Sequence, residues 1–419
     1  MEKVQRYILI FVSIIIGFVF IPEFYTKLTE KDFRTPFITY SSVLDDFILF
    51  RRLDDNFKRI DTKGNEYSID EYEEKTPLMN YRQLLADKKF PDSILGIPMD
   101  VKEVQKHNLF LSLKPAYFDQ YTIGLYPLFE ASSGRVRLSL PKDLFRFTNN
   151  GIEFFDAKTN VLIKYKSDIF TEKFNSLNFE FPAQWIYGNP SPKKPYDLGY
   201  FVKDAKGEIF HLQMKNSKPS IYKTNIPKEA NIFYISTYET ATKKFYGFAL
   251  GEDGGFYEIS TDSYKLNKFP IPRYDYKKQR LRIFGNILFK NVILSDNSGI
   301  QAFAVDQSFF LKNKYSEKQT IHSEDFYMSL GEYLFPFVIH FKSKKHFNLK
   351  LNIDTSLKGL FLNLLFVLIF ILYLKFNNLK FSNYWGEIIF VLTFGWMAWF
   401  AIIAFPSEFS KKKKGKLLC

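Results

Sequence analysis

The chain has 419 residues, with 58 Lys and Arg against 45 Asp and Glu for a formal net charge of +13, and one cysteine, Cys419. A single cysteine excludes an internal disulfide and a thiolate metal site, so the fold must be held by core burial. The positive excess comes with no arginine-rich stripe and no nucleic-acid motif, and 48 Phe and 26 Tyr beside abundant Lys, Asn and Ile are what AT-rich coding produces; nucleic acid is not an expected partner.

In chain order, the first apolar segment is Tyr7 to Ile21, preceded by Lys3 and Arg6. Its exit, Ile21-Pro22-Glu23-Phe24-Tyr25, has no small-x-small cleavage site, so residues 1–25 read as an uncleaved transmembrane signal anchor, on the short side for a span. Residues 26–356 read as an extracytoplasmic, β-rich domain. Alternating Val, Ile, Phe and Tyr runs predict strands at Gly199–Val202, Ile209–Met214, Ile232–Ser236, Phe245–Leu250, Phe256–Ser260, Ile283–Leu294 and Gln301–Val305. Helices are expected at Pro77–Lys88, Val101–His107 and Ser167–Leu177, the first two forming a small helical part near 77–107.

A polar turn closed by glycine recurs as Asp61 to Gly64, Asp204 to Gly207, Glu252 to Gly255 and Asp296 to Gly299. The last three glycines lie 48 and 44 residues apart, the size of a four-stranded propeller blade, although Asp and Gly also suit any hairpin turn. The expected class is therefore mainly β with a few helices, propeller-like or β-sandwich-like, plus three transmembrane helices.

The second and third spans are Leu357–Phe376 and Trp385–Phe405, a transmembrane helical hairpin over 357–405 ahead of a basic tail at 406–419. Asn363, polar within its segment, and Trp385, Trp396 and Trp399 are the expected surface for partner helices. Lys3, Arg6, Lys375 and Lys380 place one side of the bundle in the cytoplasm. Three spans would then put the five lysines of Lys411 to Lys416 outside with the domain, against the positive-inside rule. If that tail governs, the topology inverts.

No catalytic signature is present: G-x-S-x-G, the P-loop, G-x-G-x-x-G and H-E-x-x-H are all missing. The expected sets of catalytic, metal and cofactor residues are empty. His340 and His346 flank Lys342, Lys344 and Lys345, a setting that opposes a metal cation, and His211 alternates with Phe210 and Leu212 as a strand residue. Arg135 and Arg137, two apart after Gly134, share one side of an expected strand and form a candidate anion-binding pair, with a solvated strand face as the plainer reading. Asn189 to Asp197 is a proline-rich connector, and Tyr81-Arg82-Gln83 with Pro91-Asp92-Ser93 could border a polar pocket.

The runs Pro77 to Leu84, Pro127 to Glu130 leading into Ser133 to Leu138, and Pro195 to Phe201 with Gly207 and Phe210 to Leu212 resemble an uncharacterised family of bacterial membrane-anchored proteins. The resemblance implies no activity and no site residue; it implies frequent encoding beside ATP-binding-cassette transporter components. The expected function is a non-catalytic, extracytoplasmic accessory or ligand-sensing subunit of a complex in the bacterial cytoplasmic (inner) membrane, most plausibly an ABC-type transporter, with the lipid bilayer and an integral-membrane protein as partners. The alternatives are an extracytoplasmic enzyme acting on envelope polymers and, with inverted topology, a cytoplasm-facing lipid-binding scaffold.

Overall fold

A computed structural model describes residues 2–29, 35–53, 56–118, 123–132, 134, 137–318, 326–344 and 348–406. The Lys411 to Lys416 tail, Cys419, Arg135 and His346 lie outside the described residues. The chain forms two compact units, residues 35–319 and residues 1–34 with 320–419.

The 35–319 unit is mainly β. Its first sheet is an antiparallel meander of Phe37–Ser41, Asp46–Leu53, Asn56–Asp61 and Glu66–Tyr67; the second joins Trp185–Gly188, Tyr200–Lys203, Ile209–Lys215 and Lys218–Lys223; the third joins Ile232–Thr237, Phe245–Gly251, Phe256–Ser260 and Leu266–Lys268. The fourth is a meander of Arg280–Gly285, Phe289–Asp296, Gly299–Asp306 and Leu311–Lys318, extended at its edge by Leu109–Leu113. A hairpin, Asp143–Phe147 with Ile152–Asp156, carries the helix Lys164–Ser176.

The second, third and fourth sheets are apolar on both faces, because successive residues point to opposite sides of a strand and both sides find neighbours. In the fourth sheet Phe289, Ile293, Ile300, Ala302 and Ala304 pack against Ile38, Tyr40, Phe47 and Leu49 of the first. The other face, with Leu281, Ile283, Val292, Leu294 and Val305, packs against Phe248, Leu250 and Phe256 of the third. Ile232, Ile235, Ala249 and Ile259 then meet Phe201 and Ile209 of the second, whose opposite face closes on Phe145, Phe154, Phe170 and Phe174 of the hairpin and helix.

The repeated turns have a structural meaning that their chemistry alone does not reveal. Those at Asp204 to Gly207, residues 251–254 and Asp296 to Gly299 each join the second and third strands of the second, third and fourth sheets, so the spacing marks a repeated sheet module. Asp61 to Gly64 instead joins the third and fourth strands of the first sheet and belongs to general hairpin chemistry. In the third sheet the residue at positive φ is Gly254, at 81°, not Gly255.

Pro77–Lys88 contracts to Tyr81–Ala86, Val101–His107 is observed with Asp100 accepting from the Lys102 amide at 2.9 Å, and Ser167–Leu177 becomes Lys164–Ser176.

His211 sits on the second-sheet face that meets the third sheet, 1% exposed and stacked on Phe201 at 4.6 Å. Its ring bonds the Leu198 carbonyl and, at 2.9 Å, the Tyr264 hydroxyl. Burial, outweighing the Leu198 bond, lowers its pKa from 6.5 to about 4. The unfolded chain therefore binds the extra proton between those values, so this stabilisation is complete above pH 6.5 and is lost as pH falls towards 4. The effect amounts to about 3 kcal/mol. The stability gap between wild type and His211→Gln, followed by thermal unfolding of the detergent-solubilised chain, is expected to narrow from pH 7 to pH 4.5; a constant gap would contradict the assignment.

Among the described residues, the other unit holds two helices long and apolar enough to cross a membrane, within Val4–Thr29 and at Leu357–Phe376, each with mean hydropathy 2.4. The expected third span is corrected. Trp385–Phe405 is broken at Gly395 into Trp385–Phe394 and Trp396–Ala404, each too short to cross. Gly395 has φ 61°, and an added Cβ would sit 2.1 Å from Asn363 Oδ1, so both backbone and space demand glycine.

Contacts with the N-terminal helix give the direction of each half. Going in, Gly386 abuts Tyr7, Phe390 meets Phe11 and Phe394 meets Phe18. Coming back, Met397 abuts Gly17, and the Phe405 carbonyl accepts from Arg6 Nε at 2.7 Å. The segment therefore enters and leaves at the Arg6 end. Arg6 Nη1 also bonds Glu387 at 2.6 Å, with the Glu387 side chain 2% exposed, and Tyr7 donates to the same carboxylate at 3.0 Å. One guanidinium thus ties both ends of a re-entrant hairpin.

At the opposite end Tyr25 packs on Phe335, and Ser356, which caps Leu357–Phe376, bonds Pro336 and Glu332 carbonyls.

Candidate functional site

A cleft of about 390 Å³ opens where the third and fourth sheets meet the helix Val101–His107. Its floor is an ion pair. Lys290 and Glu258 project from strands of facing sheets toward one another, with Nζ to Oε2 at 2.6 Å and each side chain 8% exposed. Lys290 Nζ lies 4.3 Å from the centroid of the Phe309 ring, so the cation is held by a carboxylate and an aromatic face. Burial pushes the Glu258 carboxyl above the usual carboxylate range, against the pull of Lys290.

The walls come from local structure. His107 ends its helix with Nδ1 bonded to the Glu103 carbonyl at 2.9 Å, which leaves Nε2 as the group available to a ligand. Lys106 pairs with Glu103 at 2.7 Å. Asn286 turns the chain into the Phe289 strand by accepting from the Leu288 and Phe289 amides at 2.9 and 2.8 Å, and Gln307 donates to its carbonyl at 2.8 Å. Thr240, Thr242, Lys244 and Asn267 complete the polar lining, with Leu109, Phe245 and Ile287 as apolar walls. The cleft offers amides, hydroxyls and cations with one paired carboxylate, a set suited to hydrogen-bonding a polar solute. Sequence reasoning missed it because its residues come from segments spread between 106 and 309.

The residues singled out from sequence fall elsewhere. Arg137 is exposed in a bend rather than a strand, and its companion Arg135 is outside the described residues. Asn363 is 1% exposed and turned inward, donating to the Leu392 and Thr393 carbonyls at 3.1 and 3.0 Å just before Gly395. It supports the break in the hairpin instead of facing a partner. Trp396 bonds the Leu334 carbonyl at 2.7 Å, Trp399 is half-buried, and Trp385 is exposed.

The proline-rich connector buries Lys194, which contacts Asp197 at 2.5 Å and Glu239 at 3.7 Å and lies 4.7 Å from the Phe129 ring centroid. Burial raises the pKa of both carboxylates, and neither lines the cleft. Arg82 donates to Tyr81 at 2.9 Å and Gln83 to Asp87 at 3.0 Å, while the neighbouring hollow of about 620 Å³ is lined by Ser42, Leu84, Lys89, Pro91 and Ser93.

Residues 37–305 match the family described as Domain of unknown function (DUF4857), a stretch that covers the first three sheets, all but the last strand of the fourth, and the cleft lining from Lys106 to Lys290. The chain belongs to the DUF4857 family. No curated protein matches it. Among solved structures, this DUF4857 chain is similar to a quinonprotein alcohol dehydrogenase-like protein from Bacteroides thetaiotaomicron VPI-5482, at 10% identity over 70% of each chain with a TM-score of 0.18. A likeness that low carries no argument for fold or chemistry.

Proposed function

We propose that the chain is a membrane-anchored, non-catalytic accessory or ligand-sensing subunit of a membrane complex, with an ABC-type transporter as the partner class. The observation that carries this reading is the Arg6 clamp on the re-entrant hairpin. With two spans and a returning hairpin, Lys3, Arg6, Lys375 and Lys380 fall at one end of the helix bundle. The chain emerging after residue 406, which leads to the Lys411 to Lys416 run, leaves from that end too. The end of the N-terminal helix and the helix Phe326–Leu334, which flank the 35–319 unit in sequence, meet at the other end, where Gly331 abuts Tyr25. The positive-inside conflict of a three-span reading disappears, and the β-rich unit becomes extracytoplasmic.

Tethering at both ends holds that unit close to the bilayer, which raises its effective concentration at a neighbouring channel or receptor surface. The cleft above Lys290 and Glu258 gives it a place to read a solute. The succession of four-stranded meanders supports a propeller-like description of the unit. The enzyme alternative is less favoured because the buried acids Asp197 and Glu239 are packed around Lys194 away from the cleft. Crosslinking in native membranes before solubilisation is expected to shift the protein into a larger species containing another membrane protein; a protein that migrates alone would remove the accessory role.

A further inference from the structure

The fourth sheet carries a second polar feature, on its face toward the first sheet. Arg280 and Arg282 lie two residues apart on the strand Arg280–Gly285, so both leave the sheet on one side. Arg282 is 8% exposed, and its Nε and Nη2 have no hydrogen-bond partner. Opposite it in register stands Ser112 of the edge strand, whose hydroxyl oxygen accepts from Arg280 Nε at 3.2 Å. Asn291, opposite Phe284 on the next strand and on the same face, is 2% exposed with Oδ1 also unpartnered.

Among the described residues, no carboxylate pairs with Arg282. Burial first, and then the like charge of Arg280, lower the Arg282 pKa. A guanidinium taken out of water without a counter-charge carries a desolvation cost, and at Nε and Nη2 no described residue offsets it. The face is open at its edge: Phe110, beside Ser112, is 52% exposed.

We infer that Arg280, Arg282 and Ser112 form a binding site for the carboxylate or phosphate of a small solute that enters over the Leu109–Leu113 edge. Guanidinium groups present paired N–H donors that match such oxyanions. Asn291 Oδ1, an acceptor without a donor, selects a ligand with a hydroxyl or N–H next to its acid group. This site goes beyond the accessory reading and does not depend on it, since binding is measured on the solubilised chain whatever it assembles with.

The test is thermal unfolding of the full chain in detergent during titration with inorganic phosphate, lactate and acetate, each against chloride at equal ionic strength. Saturating stabilisation by phosphate or by lactate, exceeding that by acetate, is expected, and the stronger of the two identifies the acid group. Arg280→Gln is expected to weaken the effect at least about tenfold. Arg282→Met is expected to abolish it while leaving the ligand-free protein as stable as wild type or more so, because an uncompensated charge has gone. The absence of any anion effect on wild type, or a ligand-free Arg282→Met protein less stable than wild type, would overturn the inference.

Discussion

Lys290→Met is expected to destabilise the chain by about 3–5 kcal/mol, among the largest effects of any single substitution, because it strands Glu258 as a buried charge without a partner. Lys290 is the counter-charge to Glu258, at 2.6 Å with both side chains 8% exposed. Two further results follow. Lys290→Met combined with Glu258→Gln is expected to recover most of the loss, since a neutral amide does not need the cation. The deficit of the single variant is also expected to shrink as pH falls. Glu258 is already pushed above its ordinary pKa, and without Lys290 the folded state takes up its proton more readily than the unfolded chain, so stability is gained on acidification. Denaturant unfolding of the three proteins at pH 7 and pH 5 measures this, and a Lys290→Met deficit that is unchanged by the second substitution would place the loss in packing against Phe309.

Glu387→Ala is expected to have an effect of similar size, about 3–5 kcal/mol, on the helical unit. Among its described partners, Arg6 would keep the Phe405 carbonyl and the face of the Tyr7 ring, and Tyr7 would lose the Glu387 carboxylate that accepts from it. Among the described residues, this buried carboxylate is the group that links the start of the hairpin to the N-terminal helix through an ion pair, so its loss is expected to loosen both halves together. Limited proteolysis in detergent micelles should show cleavage near residues 377–384 and near 405–406 rising in parallel. Replacing the pair with Arg6→Met and Glu387→Leu is expected to restore protection, because an apolar pair of similar volume suits a bilayer. Cleavage at one of the two places only would argue that the halves are held independently.

Local pattern in the chain carried much of the fold. Period-two runs such as Ile209–Met214 and Phe245–Leu250 correspond to observed strands, because β-branched and aromatic residues suit a surface packed on both sides. The turn spacing of Gly207 and Gly299 marked a real module, since each turn occupies the same place in successive sheets. The third span was misread for a physical reason. Hydropathy over Trp385–Phe405 is continuous, and only the tertiary contact of Asn363 with the chain around Gly395 makes that glycine a reversal point. Glycine within a membrane segment is common enough to pass unnoticed.

The polar sites were hidden for another reason. Lys290 and Glu258 are adjacent only through sheet stacking, and neither belongs to a recognisable motif. Arg280 and Arg282 show the same two-residue arginine spacing that drew attention to Arg135 and Arg137. Spacing alone does not separate a solvated pair from a desolvated one. Burial does, and it depends on which strand lies against which sheet.

The central claim is that the chain crosses the membrane twice and that its last helical segment returns to the side it entered from. The native thiol Cys419 tests it directly. Intact cells and lysed cells would be treated with a small membrane-impermeant maleimide, using wild type and a Lys158→Cys variant in a Cys419→Ser background, where Lys158 is an exposed turn residue of the 35–319 unit. Two spans predict opposite behaviour: position 158 labelled in intact cells, and Cys419 labelled only after lysis. Labelling of both positions under the same condition, in intact cells or only in lysed ones, would mean an odd number of crossings and would contradict the re-entrant hairpin.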